Sequence, residues 1–370
     1  MAADNLKIDT FRVEKKRLRS ISDLKEVGLL PVGDDVRYIQ LSGQYDIGIS
    51  DHVRALIQGV NQPEKDVIGR QYIPTLEELN VQPDEEDDPI GDDIYTSVRG
   101  IVHRYNDRVL FKVTNICAVY CRYCFRREMI GAGAQHLSDD DFDRAIDYIK
   151  THNEIWEVIL TGGDPFILSP RRLQKVMDAL GEIDHVQIIR IHTRIPVASP
   201  DIIGDTILSV LKSSTKAIHV VLHINHVKEI TDDVVQIISQ LRGSDCSLLS
   251  QSVLLKGVND DASVLEDLFR RLVILHVRPY YLHHLDRAKG TSHFRVSLEQ
   301  GQKIMKDLHG RVSGMCLPKY MLDIPGGHGK IPINESYIQR LDGDVYSVED
   351  YQGCTHLYFD TVPQDEIEKK

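Results

Sequence analysis

Hydrophobic and polar residues follow two regimes along this chain. Up to about residue 95 no period is sustained. The local signals there are a short helix predicted at Thr75–Leu79 behind Pro74, then the acidic stretch Pro83-Asp-Glu-Glu-Asp-Asp-Pro89. Proline at both ends and like charge between them predict an exposed connector. From about residue 108, apolar β-branched runs of strand length recur at Val109–Ile116, Glu157–Thr161, Val186–Ile191, Ala217–Ile224, Leu248–Leu255 and Val277–Leu282. Between them apolar residues take helical spacing, as at Phe142, Ile146 and Ile149. Helix starts are marked by Ser138 three before Asp141, by Ser169-Pro170 and Ser199-Pro200, by Thr231 before Asp232-Asp233, and by Ser297 with Gln300 at capping-box spacing.

Six strand-then-helix units predict an α/β fold with a parallel sheet, because each parallel connection needs a crossover. Near-continuous apolar strands say that both faces are covered. An open doubly wound sheet and a partly closed barrel satisfy this pattern equally. In either, functional residues gather where strands end and loops begin.

Composition narrows the class. Of 370 residues 42% are hydrophobic and 27% charged, an ordinary globular balance. Lys and Arg number 44 against 56 Asp and Glu, a net charge of −12 that disfavours a non-specific nucleic-acid binder. No apolar window approaches a membrane span. The first twenty residues, with Asp4, Lys7, Glu14, Lys15, Lys16 and Arg17, lack the apolar run of a secretory leader. A cytoplasmic protein is expected, in which six cysteines are thiols or metal ligands rather than disulfides.

Three of them fall within eight residues after the first strand of the repeat: Cys117-Ala-Val-Tyr-Cys121-Arg-Tyr-Cys124. Iron–sulfur clusters are usually held by four thiolates, so three in one loop leave one iron open. A structural zinc site normally wants a second cysteine pair, and Cys246, Cys316 and Cys354 stand alone.

Cys-x3-Cys-x2-Cys at this place resembles the radical S-adenosylmethionine superfamily. The resemblance implies a partial (β/α)6 barrel whose Cys117, Cys121 and Cys124 hold a [4Fe–4S] cluster. S-adenosylmethionine would chelate the open iron and yield a 5′-deoxyadenosyl radical. Thr161-Gly162-Gly163-Asp164-Pro165 matches the segment that holds the methionyl amino group in that family. A second segment, Asp323-Ile-Pro-Gly326-Gly327-His328-Gly329-Lys330, fails as a phosphate loop because Ile324 and Ile331 occupy the required Gly and Ser/Thr positions. It is similar instead to the lysine 2,3-aminomutase family, in which this lysine binds pyridoxal phosphate. Arg70–Thr75, His103–Arg108, Cys124–Arg127, Asn225-His226, Gln251–Asp260 and Arg278–Tyr281 match in the same order, over roughly residues 65–340.

By that resemblance Lys330 is the catalytic, cofactor-bearing lysine. Gly326 and Gly327 let backbone approach the cofactor. Arg104 and Arg108 grip its phosphate, and Tyr105 and Gln251 contact it. Arg126 takes the substrate carboxylate, and Asp286 and Asp323 its distal ammonium. The activity implied moves the α-amino group of L-lysine to the β carbon. The alternatives are the same shift on arginine or another cationic amino acid, lysine modification for a translation factor, or a radical enzyme acting on RNA or protein. An external electron donor such as flavodoxin or ferredoxin and a homo-oligomer are expected, with no nucleic-acid or membrane partner. The chain departs from the family at His328, in lacking the cysteine-rich zinc-binding tail, and in its first 60 or so residues. The organisation expected is a partly helical N-terminal extension over 1–95, a core over 96–315, and a C-terminal segment over 316–370 that carries the lysine.

Overall fold

The computed structural model describes residues 17–30, 33–131 and 133–360. Residues 1–16, from most of which no secretory leader is expected, lie outside the described residues. The chain opens with α1 (Ile21–Glu26), α2 (Asp35–Gln44), α3 (Asp51–Ile57) and α4 (Gly69–Tyr72). Thr75 then leads into a 3-10 turn at Leu76–Leu79, where a short helix is predicted. The turn is buttressed by the Glu78 carboxylate, which accepts the Thr75 N–H at 3.0 Å.

A ten-stranded sheet follows: β1 (Thr96–Val98), β2 (Ile101–Tyr105), β3 (Arg108–Thr114), β4 (Glu157–Gly162), β5 (Ile188–Thr193), β6 (Ala217–His223), β7 (Ser247–Val253), β8 (Arg278–His283), β9 (Lys319–Ile324) and β10 (Gly329–Pro332). Each strand lies beside its predecessor in sequence. The parallel stretch runs from β3 to β9, one strand more than the pattern predicts, and β1, β2 and β10 are antiparallel additions at the two ends. This order contains no reversal point, so it is not doubly wound. Residues 316–332, grouped above with the C-terminal segment, supply β9 and β10 to this sheet.

The crossovers carry α5 (Asp139–Thr151), α6 (Pro170–Gly181), α7 (Ile195–Ala198), α8 (Asp205–Lys212), α9 (Asp232–Arg242), α10 (Ala262–Ile274) and α11 (Leu298–Leu308). The capping side chains of Ser138, Ser169, Thr231 and Ser297 accept the N–H groups expected of them. Ser199 does not cap a helix: Pro200–Ile202 forms a 3-10 turn, and α8 starts behind Gly204. One apolar core joins strands and helices, from Ile101 and Phe111 to Leu308 and Tyr320. A second packs α1–α4 against Val119, Tyr120 and the three clustered cysteines. Among the described residues no helix is long and apolar enough to cross a membrane. A separate antiparallel sheet, β11 (Ile338–Arg340), β12 (Val345–Glu349) and β13 (Thr355–Phe359), ends the described chain.

The acidic stretch corrects an expectation. It is not a free connector, because Glu85 is buried, accepting the Gly290 N–H at 2.9 Å and pairing with Arg295 at 3.1 Å. Asp84 pairs with Arg287 and Arg295, and Asp87 with Lys289. Charge complementarity pins it to the loop after β8, on which Asp286 sits.

Candidate active site

The cysteine loop leaves the end of β3 and rests on the turn after β4. Gly163 donates to the Thr114 carbonyl at 2.6 Å, and Asp164 N–H to that of Ile116 at 2.9 Å. A Cβ on Gly163 would lie 2.2 Å from the Ile116 oxygen, so only glycine permits this approach. The Asp164 carboxylate is engaged within the protein: it accepts from Thr193 Oγ1 at 2.8 Å and from the N–H groups of Phe166, Arg194 and Ile195. It therefore ties the end of β5 to the end of β4. Behind the loop, fully buried Glu78 pairs with both Arg122 and Arg127. Burial alone would raise its carboxyl, but the two guanidinium groups hold it down to about 2.

Cys117, Cys121 and Cys124 are partly exposed and line one cavity of about 570 Å³, a volume typical of small-molecule sites. Burial pushes all three thiol pKa values up, that of Cys124 to about 12; the Asp164 charge adds to it at Cys117, the Glu229 and Asp164 charges at Cys121, and the neighbouring Cys121 thiolate at Cys124. Among the described residues no three His, Cys, Asp or Glu groups are arranged for a single metal ion. A cubane instead takes one thiolate per iron around a volume.

The same cavity is lined by Lys330, Arg104, Tyr105, Arg108, Gly162, Gly163, Asp164, Gln251, Arg126, Asp286 and Asp323. Gly326 and Gly327 are not in its lining. They form the β9–β10 turn with φ of 79° and 84°, and a Cβ on Gly327 would meet the Tyr95 ring at 2.7 Å. These glycines fit the turn to the 91–95 loop, and His328 beside them is exposed.

The hairpin sets Lys330 directly across from Asp323, and the two side chains form an ion pair. Tyr105 fixes this strand from the other side, its hydroxyl accepting the Lys330 N–H at 2.8 Å. Asp323 also meets Arg104 at 3.5 Å. Asp92, which the sequence reading did not single out, is the hub: it pairs with Arg126 at 2.9 Å and Arg104 at 3.4 Å. Asp286 has no hydrogen-bond or ion-pair partner within the described residues, and burial raises its carboxyl to about 6 against the pull of Lys330 and Arg126. Burial lowers the Lys330 ammonium to about 8, with Asp286 opposing. The neutral, nucleophilic amine thus becomes abundant more than two units below an ordinary lysine. Capture of an aldehyde by Lys330, followed by borohydride trapping against pH, is expected to rise through a midpoint near 8; a midpoint near 10.5 would show that this burial is not felt.

His192, His223 and His283 complete the wall, from β5, β6 and β8. Burial lowers all three, His283 to about 3, so they face the cavity uncharged at neutral pH. Gln251 lies between β6 and β8 on β7, and its side chain makes no hydrogen bond among the described residues.

Comparison with known proteins fits this geometry. The family model of the radical SAM superfamily matches residues 111–268, so the cysteine loop and parallel sheet are those of a radical S-adenosylmethionine enzyme, a class that uses a [4Fe–4S] cluster and S-adenosylmethionine. The model described as lysine-2,3-aminomutase matches residues 305–369. The L-lysine 2,3-aminomutase of Methanococcus maripaludis is 38% identical over 85% of this chain and 72% of its own. That of Clostridium subterminale is 33% identical over 94% of this chain and 83% of its own, and the glutamate 2,3-aminomutase of Clostridioides difficile 35% over 91% and 79%. The chain belongs to the lysine 2,3-aminomutase family and is an isomerase, an aminomutase. An alignment over 94% of the chain also gives most of the first 60 residues a counterpart, where none is expected from the motifs.

Proposed function

We propose that this chain is an L-lysine 2,3-aminomutase, converting L-lysine to β-lysine. The observation that carries the reading is one cavity lined by three cysteines, a lysine of lowered pKa, an arginine fork and two carboxylates. Cys117, Cys121 and Cys124 hold the cluster, and the Gly162–Asp164 turn holds S-adenosylmethionine beside it. Lys330 holds pyridoxal phosphate, and its pairing with Asp323 across the hairpin aims the amine. When bound, cluster and S-adenosylmethionine supply a radical that removes a β hydrogen, and pyridoxal phosphate supplies a π bond across which nitrogen migrates.

The remaining side chains bind and orient. Arg126 gives its Nε and Nη2 to Asp92 and reaches Thr161 Oγ1 through Nη1 at 3.3 Å, and its Nη1–Nη2 edge is the one that takes the substrate carboxylate. Asp286 is a half-buried acid with no hydrogen-bond or ion-pair partner among the described residues, and a cationic end group satisfies it where the γ-carboxylate of glutamate would be repelled. Lysine is favoured over glutamate on that ground.

A charged hydrogen bond is worth about 1.5–3 kcal/mol, or roughly one to two powers of ten. Asp286→Asn is therefore expected to lower kcat/KM for lysine at least about tenfold, with iron content and cofactor absorbance unchanged. Lysine kinetics like those of the parent protein would reject the cationic end-group site. Asp323→Asn is expected to act more broadly, because it also frees Lys330 and Arg104. The direct test is anaerobic incubation of the reduced enzyme with lysine, arginine and glutamate. β-Lysine as the dominant product supports the reading, and an arginine or glutamate product replaces it.

The reading also implies that the sheet curls into a partial (β/α)6 barrel; side chains from β2 through β10 meeting at one cavity support this. It implies a cytoplasmic homo-oligomer reduced by flavodoxin or ferredoxin, with residues 1–95, 96–315 and 316–370 as its three parts.

A further inference from the structure

A second cavity, of about 710 Å³, lies behind the cysteine loop and has no part in this scheme. Its wall comes from the start of α3, the 3-10 turn after α7, and helices α8 and α9. Ala118, between Cys117 and Cys121, lines this cavity on one side and the catalytic cavity on the other. Arg17 lines it too, and its charge acts on Cys117.

Ser199 is the informative residue of the lining. It is 5% exposed, and its hydroxyl caps no helix and makes no hydrogen bond among the described residues. A buried hydroxyl is normally partnered, because leaving it unpaired is unfavourable. This one opens onto the cavity. His52 lines the cavity as well, and its Nε2 is likewise buried without a hydrogen-bond partner. Burial lowers the His52 imidazole, which therefore adds no charge at neutral pH, and the charges of Asp233 and Asp201 both act on it. The two carboxylates thus stand near one neutral ring.

The charge of the lining is set by Asp51, Asp201, Asp205 and Asp233 against Arg17. Asp51 pairs with Arg54 at 3.1 Å, whereas Asp205 and Asp233 have no ion-pair partner among the described residues. An acid in the first turn is ordinary helix chemistry and accounts for each of these singly. It does not account for an unpartnered hydroxyl among them. Carboxylates repel an anion. A single metal ion does not fit either, because among the described residues no three His, Cys, Asp or Glu groups are arranged to hold one. Ile202, Ile203 and Ile237 share the lining with the acids. Separated carboxylates on an apolar surface match a ligand whose positive charges are separated by methylenes.

We propose that this cavity binds a linear alkyl diamine or polyamine, with its ammonium groups at Asp205, Asp233 and the Ser199 hydroxyl and its methylenes against the isoleucines. The bound chain rests on the outer side of Ala118 and so touches the cysteine loop. This site is independent of which amino acid the enzyme rearranges.

The test is calorimetric titration of the full-length protein, cluster in place and without S-adenosylmethionine or reductant, with 1,5-diaminopentane. One diamine per chain is expected, bound about two- to fivefold more tightly than pentylamine, which carries one charge. Asp205→Asn and Asp233→Asn should each weaken the diamine by about two- to fivefold. Ser199→Ala should weaken it by about three- to tenfold. Gly204 lines the cavity with extended backbone and open space where a Cβ would stand, so Gly204→Lys places a tethered ammonium there. That variant should weaken the diamine by at least about fivefold. Asp286→Asn, in the catalytic cavity, should leave diamine affinity unchanged. No binding to the parent protein at millimolar diamine, equal affinity for pentylamine, or loss in Asp286→Asn with Asp233→Asn unaffected would each overturn the proposal. Gly204, Asp205 and Asp233 are exposed, so their variants carry the comparison should Ser199→Ala fail to fold.

Discussion

Cys121→Ala is expected to bring iron from about four atoms per chain to almost none and to abolish turnover. The loop offers three thiols to a cluster that binds one iron per thiolate, and loss of one leaves two corners held. No other cysteine can step in: Cys246 and Cys316 are buried elsewhere and Cys354 is exposed between β12 and β13. The fold should survive, because the Cys121 side chain makes no hydrogen bond among the described residues, while Glu78, Arg122 and Arg127 hold the loop from behind. Raised thiol pKa values add a second observable, since ligation must displace protons. Cluster assembly is expected to be slower at pH 6 than at pH 8. Recovery of about four irons in Cys121→Ala would end the assignment.

Lys330→Ala is expected to remove the phosphopyridoxyl label and lower lysine turnover by several powers of ten, with iron content unchanged. Among the described residues Lys330 is the only lysine in the cavity lining, and its position depends on few contacts: Asp323 across the hairpin and Tyr105 beneath the backbone. Alanine keeps the backbone bond to Tyr105, and Asp323 keeps Arg104. A melting temperature within a few degrees of the parent should accompany the loss. Labelling that persists on Lys319 or Lys256 would reassign the cofactor lysine.

Six of the seven parallel strands were legible because their apolar runs are long enough to be covered on both faces. The seventh, β9, hides because Lys319-Tyr-Met-Leu-Asp-Ile carries charge near both ends. β1 is three residues long and β2 ends His103-Arg104-Tyr105, so neither shows a period. Gln251 is a polar residue on an apolar strand, a signal readable from the sequence. Arg190, His192, His223 and His283 carry that same signal, and its consistent use would have found the whole inner wall. Asp92 was different. It is one acid among many near an acidic run, and only the meeting of Arg104 and Arg126 in space marks it out. The acidic stretch misled for a related reason: composition reports charge, whereas burial of Glu85 depends on basic groups 200 residues away.

The order of the large sheet has a consequence during synthesis. Since every strand lies beside its predecessor, the wall around the cavity is laid down in the order of translation. The cysteine loop is complete at residue 124, and Lys330 follows about 200 residues later. At roughly 5–20 residues per second, the interval is on the order of 10–40 s. Through that time a nascent chain carries its three thiols without the strand that bears the lysine. Over that interval the three thiols are open to iron and to oxidant before the strand that bears the lysine exists.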